Sequence, residues 1–541
     1  MSIIRRLRGA FYAYLLILVI GLVLRCIMLD SQSLWYDEAV SISIGSSDDP
    51  EILIFEEFNH PPFYHVLLHI WMRIAGHSIY SARLFSALLG LLAIILGYRL
   101  ASRLFGARVG RVTAAIMAFS PFMIYFSQEA RMYNLIIVLV LGSFSSFISI
   151  LDANRRRAWI GYFISNLLLV YTYYLSVFVL MGQLVYFLVL WREHKQSFLK
   201  ILTCQIAIVL LFVPWLLHLI QVVGSQERSY SQDFIFRVPY LFFTFTSGYS
   251  GLILNYYEKL QLMQTIREHI FYLAIVGSLI GFITIWGIKA AWRNKKAALV
   301  LAVFLVLPII FVSVLFPIVP LLSERYLAFV SPAFYMLLAL GLVNFPTRFA
   351  RILISTAFAS IFVLSLYNYY FNPAFGKEQW KEVAQHIREN SKPGDTIVFQ
   401  KDYGVIPYHF YAWNAISWFG IPERPIESLN QDSLELRRLW VEDEICRFDD
   451  PKFYALDSCP DSIAARAGAK ASMPHISDWA GEYNHVWLVL SKNFDTEFFY
   501  RDLFARLFTQ VEQKVFPKMN GITVCLYEVH NQRMTAQDKS Q

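Results

Sequence analysis

The sequence predicts an α-helical polytopic membrane protein with a small C-terminal α/β domain outside the bilayer. Three observations carry that prediction. Of 541 residues, 57% are hydrophobic and only 16% charged, where a soluble chain carries about 25% charged. The apolar residues fall in runs close to the roughly 20 residues that a spanning helix needs. The composition then changes near residue 372, where amphipathic and alternating patterns replace the long runs. The mean hydropathy of +0.46 agrees with the first two observations.

The first run, 10–29, follows Arg5, Arg6 and Arg8. It resembles a signal peptide at its start, but Leu24-Arg25-Cys26-Ile27-Met28 offers no small-residue cleavage site, so it reads as an uncleaved span. Further spans are expected at 80–102, 111–127, 132–151, 158–175, 176–191, 199–220, 268–288, 297–316, 326–344 and 351–371, about eleven in all. Between them lie clusters such as Arg155-Arg156-Arg157 and Lys289, Arg293, Lys295 and Lys296. With the N-terminus inside, every such cluster falls in an inner loop, as the positive-inside rule requires. The formal net charge of +7 is therefore a topology signal and implies no nucleic-acid partner. An odd span count places the C-terminus on the opposite side.

The transmembrane domain is thus expected over 1–371 and the extracytoplasmic domain over 372–541. Two long outer loops are expected, 30–79 and 221–267. Within the first, 61–76 reads as an interfacial amphipathic helix, with Phe63, Val66, Leu67, Ile70 and Ile74 as its apolar stripe. The second is rich in Tyr, Ser and Gln and suits an acceptor-binding lid. In the C-terminal domain the pattern gives helices over 378–389 and 497–515 and strands over 396–399, 485–490 and 522–529. The chain's five cysteines are too few for a disulfide framework, although Cys446 and Cys459 lie where a bond could form.

Charged residues at the outer helix ends are the candidates for chemistry. Ionised groups at a bilayer edge are costly and therefore mark function. Asp37 and Glu38 lie in Leu34-Trp35-Tyr36-Asp37-Glu38-Ala39. Adjacent side chains point in different directions, so one can act as general base while the other binds metal or fixes the loop; capping the loop, or pairing with Arg25 or Arg83, is the structural alternative. Glu129 and Arg131 end the third span. Arg131 suits a phosphate and Glu129 a metal, and an ion pair between them is the structural alternative. Arg325, beside Glu324 and Tyr326, offers a fork of donors for a lipid phosphate, or a snorkelling anchor. His60 precedes a double proline in a loop. His65 and His69 stand at i, i+4, a zinc spacing, but no Glu lies between them as in a metalloprotease. They read better as the polar face of the interfacial helix.

Leu34-Trp-Tyr-Asp-Glu-Ala39, His60-Pro-Pro-Phe-Tyr64, Ser127-Gln-Glu-Ala-Arg-Met-Tyr133 and Arg325-Tyr-Leu327, in this order, resemble the bacterial dolichyl-phosphate-mannose-protein mannosyltransferase-like family. That family belongs to the GT-C class of integral-membrane glycosyltransferases, with the aminoarabinose transferases of lipid A and the galacturonosyl transferases of lipopolysaccharide. The resemblance covers roughly residues 10–400. It implies a GT-C fold, a polyprenyl-phosphate sugar donor, and a glycan, lipid or protein acceptor. It also implies transfer on the non-cytoplasmic face of a bacterial inner membrane, and usually a divalent metal cation. Asp37 matches the acidic residue proposed as catalytic in such enzymes, and Glu38 its neighbour. Arg131, Arg325 and Tyr326 are the expected donor-phosphate residues, and Glu38, His60 and Glu129 the expected metal ligands. Glu129 stands where many relatives carry Asp. A multi-span transporter or lipid-linked sugar flippase is the competing class; it would favour midplane charges and internal repeats, whereas here the charges lie at outer helix ends and no repeat is visible. A membrane anchor presenting a binding module would leave the first-loop carboxylates unexplained.

Overall fold

The computed structural model describes residues 2–55, 60–153, 155–223, 234–252, 259–315, 323–392, 396–399, 404–413, 453–455, 485–491, 505, 508–516 and 522–528. The chain divides into two compact units. One comprises Met1–Leu29, Asp49–Trp71 and Tyr80–Asn372; the other comprises Asp30–Asp48, Met72–Ile79 and Pro373–Gln541.

The first unit is a bundle of apolar helices. Among the described residues seven are long and apolar enough to cross a membrane: Arg8–Cys26, Ile79–Phe105, Tyr133–Ala153, Ser197–His218, Ile270–Ala291, Lys295–Leu315 and Arg348–Phe371. An eighth is a pair, Ala107–Phe119 and Pro121–Ser127, bent by 59°. Shorter helices, Arg156–Val170, Tyr174–Val189 and Ala328–Val343, occupy the other expected segments. Each expected span is therefore helical, and the protein is an integral membrane protein.

Where these helices meet, small residues and polar side chains do the joining, because lipid tails supply no hydrophobic drive between helices. A Cβ added at Gly287 would lie 2.2 Å from the Leu337 carbonyl, and one at Gly341 2.1 Å from the Ile283 carbonyl. Only glycine lets these two helices approach so closely. Tyr162 donates to Gln183 at 2.8 Å and accepts from Gln205 at 2.7 Å; Gln183 donates to Ser143 at 2.9 Å, and Ser143 to Asn166 at 2.9 Å. All five are buried. A closed network of this kind satisfies polar groups that water cannot reach.

The bent pair has a local cause. Pro121 cannot continue the preceding helix but suits the first position of the next, and Ser120 Oγ accepts from Met123 N at 3.3 Å as its N-cap. The break leaves carbonyls of the preceding helix without intrahelical partners. Arg25, fully buried in the first span, donates to Met117 O at 2.9 Å, Ala118 O at 3.0 Å and Ser127 Oγ at 3.0 Å. Ser127 also accepts from Asn134 Nδ2 at 3.0 Å and donates to Met123 O at 2.6 Å. Gly90 makes room for this knot: a Cβ there would lie 2.3 Å from Ser127 Oγ and 2.9 Å from Arg25 Nε. Gly90→Ala should destabilise the protein by about 1–3 kcal/mol through overpacking, read as a lowered thermal midpoint in detergent. An unchanged midpoint would show that the knot can move aside.

The second unit is built on a five-stranded sheet. Its strands are β1 (Thr396–Phe399), β2 (Phe453–Ala455), β3 (His485–Ser491), β4 (Thr509–Phe516) and β5 (Ile522–Glu528), in the order β2-β1-β3-β5-β4. β1 runs parallel to β2 and β3; β5 is antiparallel to β3 and β4. In β3, Val486 to Leu490 are all buried, whereas β4 is an exposed edge. Its helices include Tyr36–Ser46, Trp380–Asn390 and Val405–Trp413, and a Cβ at Gly404 would strike the Trp380 ring at 2.5 Å.

Three expectations change. The helix expected over 497–515 gives way from Thr509 onward to the strand β4. Phe508, Val511 and Val515 fit a helical stripe, but pairing with β5, register-shifted between Gln510 and Glu512, overrides that local pattern. The expected lid, 221–267, contains the helix Phe234–Ser247, with Leu241, Phe243 and Phe245 buried; this part is core, not a surface loop. His65 on the helix Phe63–Ala75 is buried at 3% exposure and stands edge-on to Tyr64 at 5.5 Å, whereas Ile70 and Ile74 are exposed. The apolar side at the end of that helix faces outward, as an interfacial element requires, and His65 is core rather than polar face. Cys446 and Cys459 lie outside the described residues.

Candidate active site

The two units supply two sets of candidate residues. In the C-terminal unit, Asp37 and Glu38 open the helix Tyr36–Ser46. Carboxylates in a first turn are stabilised by the helix dipole. About 100° of helical turn separates adjacent side chains, and the two fall in different environments. Asp37 is half-buried; Glu38 is fully buried, along with Ala39, Ser41 and Ile42 behind it. Glu38 Oε2 lies 2.7 Å from Lys377 Nζ, itself 3% exposed. The Lys377 partner comes from just beyond the last span, not from Arg25 or Arg83, which the structural alternative named.

The segment around Lys377 grips the whole approach to Asp37. Lys377 N donates to Gln32 Oε1 at 3.4 Å and Lys381 N to Ser33 Oγ at 3.2 Å. Ser33 Oγ donates to Glu382 Oε2 at 3.3 Å, and Leu34 N to the Tyr411 hydroxyl at 2.7 Å. Beside Lys377, Glu378 is buried and accepts from Trp380 Nε1 at 2.7 Å. Sequence reasoning missed Lys377. A Lys-Glu pair immediately after the last apolar run was the available signal, but a lone Lys at a membrane edge reads first as an anchor.

In the membrane unit, Ser127 to Met132 make the turn between the bent pair and the helix Tyr133–Ala153. Glu129 and Arg131 are both buried there, and Arg131 N donates to Glu129 O at 2.9 Å. Gln128 clamps the end of the first span: its Nε2 donates to Arg25 O at 3.1 Å and Ile27 O at 2.8 Å, while its Oε1 accepts from the Tyr369 hydroxyl at 2.7 Å. Ser127 and Gln128 in this motif therefore shape the turn that presents Glu129 and Arg131.

Arg325 lies in the turn before Ala328–Val330. Its guanidinium sits 5.0 Å from the Tyr326 ring centroid and donates to the Tyr326 hydroxyl at 3.3 Å. Stacking of this kind fixes the plane of the guanidinium fork. His60 lies against another pair that sequence reasoning placed inside a span: its ring centroid is 6.3 Å from Tyr173 and 6.5 Å from Tyr174. The adjoining turn is fastened by Phe63 N donating to Tyr171 O at 3.1 Å. The run Tyr171-Thr-Tyr-Tyr174 at a helix end was the missed signal.

The expected metal does not fit the described side chains. Among the described residues no three His, Cys, Asp or Glu are grouped to hold an ion, and Glu38 already has an ammonium at 2.7 Å.

Residues 59–218 match the model of the dolichyl-phosphate-mannose-protein mannosyltransferase family. No curated protein matches the sequence. The structure of ArnT from Cupriavidus metallidurans in the apo state matches at TM-score 0.55 and 14% identity, over 96% of this chain and 98% of that one. The same protein bound to undecaprenyl phosphate matches at 0.54 and 15%, with the same coverage. The Archaeoglobus fulgidus oligosaccharyltransferase in complex with Zn and sulfate matches at 0.50 and 14%, over 92% of this chain and 72% of that one. The chain has the GT-C fold. The GT-C match runs almost from end to end in ArnT, so it takes in both units.

Proposed function

We propose that the protein is a membrane glycosyltransferase that moves a sugar from a polyprenyl-phosphate donor to an acceptor hydroxyl on the non-cytoplasmic face. The observation that carries this reading is Asp37. It is a half-buried carboxylate at the head of a fixed helix, in a GT-C chain whose ArnT neighbour was solved with undecaprenyl phosphate bound.

The residues divide the work. Asp37 accepts the proton of the acceptor hydroxyl. The freed oxygen attacks the anomeric carbon while the bond from that carbon to the phosphate oxygen breaks. The electron pair leaves with the polyprenyl phosphate, and the configuration inverts. The leaving phosphate gains charge as it departs, and fixed positive charge lowers that barrier. Arg131, Arg325 and the Tyr326 hydroxyl are the proposed donors to it. Glu38, His60 and Glu129 are the ligands a divalent cation would draw on from the family pattern; the donor set does not fit one, and no step above uses one.

Glycan and lipid mass spectrometry with and without the gene tests the reading. One sugar mass missing from an envelope component is the expected result; unchanged envelope glycans in a host that makes the acceptor would overturn it. The bacterial inner membrane is the proposed location, with the C-terminal unit outside. An alkaline phosphatase fused after Gln541 should be active, and activity from a cytoplasmic reporter at that position would reverse the topology.

A further inference from the structure

Glu38 and Lys377 form an ion pair with almost no solvent around it, 2.7 Å apart at 0% and 3% exposure. Removing one member of such a pair leaves a buried charge uncompensated and is far more damaging than removing both. The pair also has a definite location. Glu38 follows Asp37 in the first turn of Tyr36–Ser46. Lys377 begins the segment whose backbone and side chains hold Gln32 and Ser33. Tyr411 holds Leu34 from a separate helix. Those contacts fasten the approach to the helix. The Glu38 to Lys377 contact fastens the helix turn itself.

We propose that Lys377 is a positioning residue for transfer: its ammonium holds Glu38, and through Glu38 it fixes the turn that carries Asp37. This rests on the reading of Asp37 as the general base. Glu38 belongs on this account to the frame around the reaction. Misplacing a reacting group by about 1 Å is enough to cost on the order of a hundredfold in rate. Lys377 acts on rate through geometry and touches neither donor nor acceptor.

The test uses the full chain in nanodiscs and in a deletion host. Transfer is read by mass spectrometry of envelope glycans, and donor-site integrity by native mass spectrometry with undecaprenyl phosphate as probe. Lys377→Gln should lower transfer by about a hundredfold and leave undecaprenyl phosphate binding within about twofold, because no phosphate contact is lost. Lys377→Arg, which keeps the charge, should stay within about tenfold of the parent. The decisive variant combines Glu38→Gln with Lys377→Gln. It removes both charges and leaves two amides able to hydrogen-bond, so it should recover at least about tenfold over Lys377→Gln alone. Where Lys377→Gln inserts poorly, the same recovery is expected in membrane yield as well as transfer.

Two results would overturn the proposal: a paired variant no more active than Lys377→Gln, or loss of undecaprenyl phosphate binding in Lys377→Gln. The first would mean that Glu38 is needed as a carboxylate in its own right, and the second that Lys377 touches the donor. Asp37→Asn measured alongside separates the two readings. Full transfer by that variant removes the general-base role, whereas the paired recovery reports on Lys377 and Glu38 alone.

Discussion

Asp37→Asn should lower sugar transfer by about 10²–10⁴-fold, the contribution of a positioned general base, while the protein inserts and folds normally. The substitution keeps size and shape but removes the lone-pair basicity that receives the acceptor's proton. Asn is well tolerated at the start of a helix, and Asp37 is only half-buried, so the exchange of carboxylate for amide takes place where water still reaches the side chain. The same substitution at Glu38 would be a different experiment, because Glu38 faces Lys377 at 2.7 Å and its loss strands a buried ammonium. The measurement is the initial rate of transfer by purified protein from polyprenyl-linked donors extracted from host membranes, together with the thermal midpoint. A near-normal rate from Asp37→Asn would remove the base from this position and leave the frame without its purpose.

The contrast between these neighbours shows what sequence could and could not deliver. That Asp37 and Glu38 mattered was legible from their cost at a bilayer edge. Which of the two faces solvent was not, because it depends on Lys377, 339 residues away in sequence. The spans were legible for a simple reason: every backbone group in lipid must be satisfied within its own helix, so a local apolar run decides the structure. The same reasoning failed in the C-terminal unit, where β4 is fixed by its pairing with β5 and not by its own pattern. It failed also at Tyr173 and Tyr174, which an apolar window absorbs into a span although they form the corner against His60. His65 was assigned to a polar face by residue type, and packing against Tyr64 buried it.

Motif residues divided in the same way. In Ser127-Gln-Glu-Ala-Arg131 the sequence suggests roles for Glu129 and Arg131 and none for Ser127 or Gln128. In the structure Ser127 is the centre of the knot with Arg25 and Asn134, and Gln128 holds the end of the first span. The motif carries residues that make the turn as well as the charges on it, and a single sequence does not tell the two roles apart. The bent pair at Ser120-Pro121 was only half legible. Pro121 announces a break, but the carbonyls it leaves are satisfied by Arg25, a residue that the sequence offers only as an alternative partner for Asp37 or Glu38.

Arg325→Lys should weaken use of the donor by about ten- to a hundredfold and leave acceptor affinity nearly unchanged. Arg325 is half-buried in the turn that precedes Ala328–Val330, and the Tyr326 ring beneath it holds its plane. A guanidinium so oriented can give two parallel hydrogen bonds to a phosphate. Lysine keeps the charge but offers a compact, strongly hydrated point that stacks poorly on the ring. The lost charge-assisted bond is worth about 1.5–3 kcal/mol, which gives the stated range at about 1.4 kcal/mol per tenfold. Undecaprenyl phosphate added as a competitor provides the readout: its inhibition constant should rise with the substitution in step with the loss in donor use. Tyr326→Phe separates the two features of the site. It keeps the ring under the guanidinium but removes the hydroxyl that accepts from Arg325 at 3.3 Å, so it should cost less than Arg325→Lys. If the inhibition constant is unchanged in Arg325→Lys, this arginine is an interfacial anchor and Arg131 becomes the residue that receives the donor phosphate.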